Sequence, residues 1–581
     1  MDKYEVLNKY FGYDSFREGQ EELVDSILAG RDVLGIMPTG AGKSICYQVP
    51  ALCMPGITLV ISPLISLMMD QVKALNQAGV HAAYINSSLT EGQISKALQN
   101  AGMGQYKIIY VAPERLETER FLYFAQNAPI DMVTIDEAHC ISQWGQDFRP
   151  SYLKIIRFIE QLPKRPIVSA FTATATTVVK KDIVDILSLL NPKVLVTGFD
   201  RENLFFEVRT GKNKDEQLFH YLQSHLEESG IIYCATRKNV DKVCDYLEMR
   251  GLSVTRYHAG LSKEERKTNQ EDFIYDRKAI VVATNAFGMG IDKSNVRYVV
   301  HYNMPQSLEN YYQEAGRAGR DGMSAECVIL YSPQDVHINK YLIENRGENS
   351  ELTSQQAEIV LKNDRERLWA MAGYCKTTYC LREYILRYFG TQRRRDISDK
   401  YCGNCSSCVN ATKRQDYEEY GYSTIWEEEH SFLPSNDSWN TKGVEYDSSE
   451  QEDIVRFGSR YENRPTGMKH TGKNKKVSGY GTGMYGESNP KATGKQISLE
   501  QLTEKQQELF KELKALRLQL AKAVALPPYM IFTDKTLFYM SVKQPTNKEQ
   551  MLQVNGVGEN KYDRYGEDFV ECIQNFQKTV E

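Results

Sequence analysis

Three runs of residues in this sequence have the types and spacing to act on a phosphate ester. Met37-Pro-Thr-Gly-Ala-Gly-Lys-Ser44 follows an apolar run and precedes a segment with helical patterning, the setting that a phosphate-cradling loop requires. Within it, Thr39, Gly40 and Gly42 form the turn, and the two glycines let backbone N–H groups face phosphate oxygens. A helix start adds partial positive charge and Lys43 adds a full one. Ser44 is placed to hold Mg2+ through its hydroxyl. The second run, Asp136-Glu137-Ala138-His139, ends the apolar stretch Met132–Ile135. Asp136 there can bind Mg2+ through water, and Glu137 can orient or deprotonate an attacking water. The third run, Gln313-Glu-Ala-Gly-Arg-Ala-Gly-Arg320, offers two arginines. Phosphoryl transfer needs positive charge on the moving group, often delivered from another domain. Arg320 is read as that arginine finger, with Arg317 near the same phosphate. Any one run has a bland explanation: a glycine turn, a solvated acidic loop or an arginine-rich surface helix.

A fourth group is a set of thiols. Cys402, Cys405 and Cys408 form a compressed C-x2-C-x2-C run, and in a reducing compartment that spacing favours metal over disulfides. Tetrahedral Zn2+ needs one more ligand, for which Cys375 and Cys380 compete. Four thiolates would leave no open coordination position, so the role is structural.

These groups need elements to position them. Candidate strands in the first part are Asp32–Ile36, Ile57–Ser62, Lys107–Val111, Met132–Asp136, Val168–Thr172 and Lys193–Val196. A second series follows: Gly230–Cys234, Val254–His258, Ala279–Thr284, Tyr298–Tyr302 and Ala325–Tyr331. Both series alternate with helical stretches, and the runs are apolar throughout, as strands covered on both faces should be. The expected architecture is α/β: two tandem doubly wound parallel-sheet domains joined near residues 198–215. Ligands of such sheets bind at the carboxyl ends of strands, where the phosphate loop and the acidic pair sit.

Domain bounds are expected at 1–200, 201–334, 335–410 for a helical zinc-binding module, 411–497, and 498–581 for an all-α module. Residues 411–453 carry 12 acidic and 3 basic side chains, whereas 454–497 carry 2 and 9. With no sustained apolar period there, a linker is the expectation. A chain of 581 residues is too long for a single core. The N-terminus lacks a secretory pattern and no window has the length of apolar sequence that a membrane helix needs. The expectation is a cytoplasmic protein without a membrane partner. A net charge of −5 argues against coating nucleic acid by bulk charge, though not against a local basic channel.

The span from about residue 8 to 408 resembles the superfamily 2 helicases, and specifically the RecQ DNA helicases. Tyr10-Phe-Gly-Tyr-Asp-Ser-Phe-Arg-Glu-Gly-Gln20 is similar to that family's adenine-reading motif. The resemblance gives Gln20 paired hydrogen bonds to the adenine edge, with Arg17 nearby. Ser62–Gln71, Ala112–Arg115, Tyr257–Gly260 and Ala283–Asp292 resemble further motifs in the family's order. Ser169-Ala-Phe-Thr-Ala-Thr-Ala175, with Thr172 and Thr174, resembles the motif that couples hydrolysis to strand handling. Cys140-Ile-Ser-Gln-Trp-Gly-Gln-Asp-Phe-Arg-Pro150 resembles the aromatic-rich loop of RecQ-like enzymes. There Trp144 and Phe148 could stack on unpaired bases while Arg149 holds a phosphate; a buried aromatic turn is the alternative. The family usually has His where this chain has Gln146, so coupling between DNA and ATP is expected to differ. For zinc, the resemblance selects Cys380 as the fourth ligand. Lys514–Arg517, Pro527–Tyr529 and Leu552–Glu559 resemble the HRDC domain, a small helical nucleic-acid-binding module.

The resemblance implies two RecA-like domains with ATP, Mg2+ and structural Zn2+. It also implies 3′→5′ unwinding of single-stranded and forked DNA in recombination and repair. A monomer is expected, with single-strand-binding protein and other repair proteins as partners. A winged-helix domain should occupy 411–497, where only Gly472–Lys476 and Gly479–Gly481 echo one. A translocase that hydrolyses ATP without efficient unwinding therefore remains a rival, and a non-catalytic scaffold a weaker one.

Overall fold

The computed structural model describes residues 1–288, 293–346, 352–391, 401–417 and 498–580. Expectations for Met289–Asp292 and for nearly all of 411–497 lie outside the described residues.

The first α/β body contains β1 (Val33–Ile36), β2 (Ile57–Ile61), β3 (Ala82–Ile85), β4 (Ile108–Val111), β5 (Ile130–Ile135), β6 (Ile167–Thr172) and β7 (Lys193–Val196). They form a parallel sheet in the order β3-β4-β2-β5-β6-β1-β7. β1, β2 and β4 are buried along their whole length, which is why their sequences are apolar without alternation. β7 differs: it is an edge strand whose side chains alternate between half-buried and exposed.

The second body contains β8 (Leu204–Thr210), β9 (Ser229–Tyr233), β10 (Val254–Tyr257), β11 (Ile280–Ala283), β12 (Val296–His301) and β13 (Ala325–Tyr331). Its sheet is again parallel, in the order β10-β11-β9-β12-β13-β8. β3 and β8 add to the strands expected from sequence, and each is an edge. β8 lies inside the stretch expected to be a junction; it is an integral strand running parallel to β13.

Edge strands present unpaired backbone groups, and the zinc-binding region covers those of β8. Cys405 bridges Phe206. Asn404 Nδ2 donates to Leu204 O at 3.0 Å, and Arg382 Nη2 donates to the same carbonyl at 2.6 Å. The region's helices are Ser354–Lys376, Leu381–Tyr388 and Ser406–Tyr417.

The C-terminal module is helical, with its longest helices at Glu504–Ala523, Asp534–Lys543 and Glu567–Val580. Leu509, Leu513, Phe532, Leu537, Phe569 and Ile573 form its core. Arg517 is buried in that core, donating to Phe532 O at 2.7 Å and pairing with Asp534 at 2.8 Å. Burial alone would raise the Asp534 pKa, but Arg517 and Arg297 outweigh it and hold the carboxyl down at about 2. The module rests on the second body. Met323, from the loop before β13, is 2% exposed and belongs to the module's apolar cluster. Tyr275 Oη donates to Ala525 O at 3.4 Å and Lys514 Nζ to Glu227 O at 3.3 Å.

Candidate nucleotide cleft, nucleic-acid loop and zinc site

The phosphate loop joins β1 to the helix Lys43–Cys53. Gly40 and Gly42 both take left-handed backbone angles, φ 86° and 83°, which glycine adopts without the strain a Cβ would bring. At Gly42 a Cβ would also sit 2.5 Å from Gln20 Nε2. The loop is held from the side by the adenine-motif residues. Gln20 Nε2 donates to Ala41 O at 3.0 Å and Gly42 O at 3.1 Å, while its Oε1 accepts from Arg17 N at 2.8 Å. Arg17 Nη1 donates to Gly40 O at 2.7 Å. Both side chains therefore brace the phosphate loop here, and for Gln20 to read an adenine edge these bonds must exchange. Lys43 Nζ donates back to Met37 O at 3.2 Å.

Asp136 and Glu137 leave the end of β5. Asp136 is buried, and its pKa is pushed up to about 7, first by burial and then by the neighbouring Glu137, with Lys43 opposing. Asp136, Glu137 and the Ser44 hydroxyl are hard oxygen donors, the chemistry that suits Mg2+. Glu137 has φ 48° and ψ 47°, a left-handed conformation that costs a non-glycine residue on the order of 1–3 kcal/mol and clusters at active sites. His139 Nδ1 lies 3.3 Å from Glu137 Oε2 and 2.8 Å from Thr172 Oγ1. Thr172 Oγ1 in turn donates to Thr174 O at 3.1 Å. The acidic pair is thereby linked to the end of β6 through two buried threonines.

The arginine run faces this loop from the second body. A Cβ at Gly40 would lie 3.3 Å from Arg320 Cγ, so the Arg320 stem packs against the phosphate loop. Arg317 is buried and donates to Gly288 O. Sequence reasoning passed over Arg201. Its Nη1 donates to Thr39 O at 3.1 Å and Gly316 O at 3.2 Å; its Nη2 donates to Ala318 O at 3.0 Å and Gly319 O at 2.9 Å. One guanidinium thus ties the phosphate loop to the loop that carries both arginines. Apart from Asn203 Oδ1, which accepts from its Nε at 3.4 Å, its acceptors are backbone carbonyls, which leave no pattern in a sequence.

The aromatic-rich loop lies beside the cleft. Trp144 is 41% exposed and free to meet a base, whereas Phe148 is 8% exposed and packs inward. For Phe148 the sequence-level alternative of a buried aromatic describes this state. Arg149 is engaged by Asp147 at 2.9 Å and by Pro63 O at 3.2 Å. Gln146 Nε2 donates to Gln313 Oε1 at 3.0 Å, joining the aromatic loop of one body to the arginine run of the other.

The four thiols Cys380, Cys402, Cys405 and Cys408 gather with all sulfurs within 4.8 Å of one another. Tetrahedral Zn–S bonds of about 2.3 Å place sulfurs about 3.8 Å apart, so the set fits Zn2+. Backbone N–H groups of Glu383 and Asn404 donate to Cys380 Sγ and Cys402 Sγ, each at 3.4 Å, as thiolate ligands require. Cys375 is buried elsewhere and is not in the cluster.

Comparison with known proteins agrees with this geometry part by part. Residues 17–182 match the model of the DEAD/DEAH box helicases and 213–322 that of the helicase conserved C-terminal domain. Residues 333–409 match the RecQ zinc-binding model and 506–573 the HRDC domain. The ATP-dependent DNA helicase RecQ of Bacillus subtilis is 40% identical over 99% of both chains. That of Pasteurella multocida is 37% identical over 99% of this chain and 94% of its own. Among solved structures, the DUF1998 helicase MrfA bound to DNA covers 68% of this chain and 59% of its own, at 17% identity and a TM-score of 0.50. At that identity the likeness concerns the fold alone. Whole-length similarity, the ordered motifs and the four-thiol site lead to one conclusion: this chain belongs to the RecQ family of ATP-dependent DNA helicases.

Proposed function

We propose that the protein unwinds 3′-tailed and forked DNA in the 3′→5′ direction, serving recombination and repair, by opening and closing the cleft between its two RecA-like bodies. The observation that carries this reading is the juxtaposition across the cleft: Arg320 packs on Gly40 while Arg201 bonds both loops. ATP would lie on the N–H groups of residues 39–44, with Lys43 on its phosphates and Gln20 and Arg17 turned toward its base. Ser44 and Asp136 would hold Mg2+, which when bound neutralises phosphate charge. Glu137 orients and deprotonates the attacking water, helped by His139. Arg320 and Arg317 meet the charge that develops on the transferred phosphoryl group.

Trp144 stacks on unpaired bases, and Gln146 passes the strand's presence to Gln313 and so to the arginines. Thr172 and Thr174 link the catalytic acid pair to the strand-facing end of β6. The bounds 1–200, 201–334, 335–410, 411–497 and 498–581 complete the reading, with a cytoplasmic monomer working beside single-strand-binding and other repair proteins. The test pairs ATP turnover with displacement assays. Strand release from a 3′-tailed duplex but not from a 5′-tailed one supports the polarity. DNA-stimulated hydrolysis without release from either makes the chain a translocase.

A further inference from the structure

The turn carrying Trp144 is held by a helix more than two hundred residues away in sequence. Asn363 and Arg367 lie one helical turn apart on Ser354–Lys376, and so share a face. Asn363 Nδ2 donates to Gln143 O at 3.1 Å, and Arg367 Nη1 donates to Trp144 O at 2.9 Å. Both donors are enclosed, at 3% and 7% exposure. Arg367 is itself braced by Asp364 at 2.6 Å, whose other oxygen meets Arg346 at 3.1 Å.

The turn is equally constrained from within. Trp144 N donates to Ser142 Oγ at 3.1 Å, and that hydroxyl donates to Asp182 at 2.6 Å. A Cβ on Gly145 would fall 2.3 Å from His139 O, so the turn closes directly on the backbone of the DEAH run. One residue later Gln146 reaches Gln313. If the turn moved away, a buried amide and a buried guanidinium N–H would lose their acceptors and be left unpaired out of water, which is costly. The backbone at Gln143 and Trp144 therefore has one preferred position, and Trp144 and Gln146 inherit it.

We propose that Asn363 and Arg367 are positioning residues for DNA-stimulated ATP hydrolysis, by which the zinc-binding region's long helix fixes the turn between the base-stacking Trp144 and the Gln146–Gln313 contact. The proposal rests on the reading of Trp144 as a base-stacking residue. It assigns the zinc-binding region a part in coupling, in addition to its cover of the β8 edge.

The test uses the full-length, zinc-loaded protein and an oligothymidylate as the probe strand. Asn363→Leu and Arg367→Met should leave DNA-free turnover and the KM for ATP within about two-fold of the parent. DNA-stimulated kcat should fall roughly ten-fold in each, the upper scale for one lost neutral hydrogen bond and the lower for a charged one. The half-saturating oligonucleotide concentration should move less than about three-fold, because phosphate contacts dominate affinity. Arg367→Lys should recover part of the stimulation. Parent-like stimulation in both variants overturns the proposal while leaving the Trp144 reading intact, provided that Trp144→Ala abolishes stimulation. Full stimulation in Trp144→Ala overturns the underlying reading and the proposal with it. If Arg367→Met lowers DNA-free turnover, Asn363→Leu decides, and the same loss there marks a merely structural contact and also overturns the proposal.

Discussion

Replacing Arg201 by methionine keeps the side chain's apolar stem and removes its charge and its donors. Of the bonds that Arg201 makes to backbone carbonyls, the one to Thr39 O crosses from the second body to the first, while those to Gly316, Ala318 and Gly319 stay within the second. Burial pulls the Arg201 pKa below the usual arginine range, so the group is in a setting where its hydrogen bonds are poorly replaced by water. A hydrogen bond from a charged donor contributes about 1.5–3 kcal/mol. If that bond forms only when the cleft closes, its loss lowers the closed population, and with it kcat/KM, by roughly 10- to 150-fold. Arg201→Lys, with one ammonium in place of a fork, should fall between parent and methionine variant. The assay is DNA-stimulated ATP hydrolysis across a range of ATP concentrations, with the melting temperature measured alongside. A methionine variant whose kcat/KM stays within about two-fold of the parent would refute the assignment of a cleft-closing role.

Three other outcomes are expected. Glu137→Gln should retain ATP binding and lose turnover by roughly 10²–10⁴-fold, as loss of a general base does, which a filter-binding assay beside a phosphate-release assay will show. Gln146→Ala removes the hydrogen bond to Gln313 and should lower the ratio of DNA-stimulated to DNA-free hydrolysis severalfold, on the scale of about 1 kcal/mol. Cys402→Ser breaks the four-thiol set, so zinc content should fall from one per chain toward zero. The cover over β8 should loosen with it, detected as new proteolytic cleavage in residues 377–410.

The architecture was legible wherever burial imposes a sequence pattern. β1, β2, β4 and β5 lie between layers, so their residues are apolar and β-branched, and the loops after them carry the glycines and acids that the chemistry needs. The two strands added by the structure are edges, where that pressure relaxes. β3 reads Ala-Ala-Tyr-Ile and lacks a β-branched run, while β8 interrupts its apolar residues with Glu207 and Arg209. The zinc spacing was readable for three thiols because they are close in sequence. The fourth needed either the resemblance or the fold, since Cys375 and Cys380 flank one turn and only the latter meets the others. Arg201, Asn363 and Arg367 escaped notice for one reason: each acts on main-chain oxygen far away in the chain, and a carbonyl has no residue type. The inward packing of Phe148 depends likewise on what lies behind the loop rather than on the loop's own letters.

The seat of Met323 in the C-terminal module has a consequence for how that module should be studied. Met323 is three residues from Arg320, and its side chain is buried within the module's apolar cluster. Cutting the chain before Ser498 therefore does more than subtract a terminal helical module. It strands an apolar side chain in water on the very loop that carries Arg317 and Arg320, and removes Asp534 from the neighbourhood of Arg297. A truncated enzyme that hydrolyses ATP slowly would thus be reporting on a newly solvent-exposed loop of its own motor, and a point change on the module's outer surface is the fairer comparison.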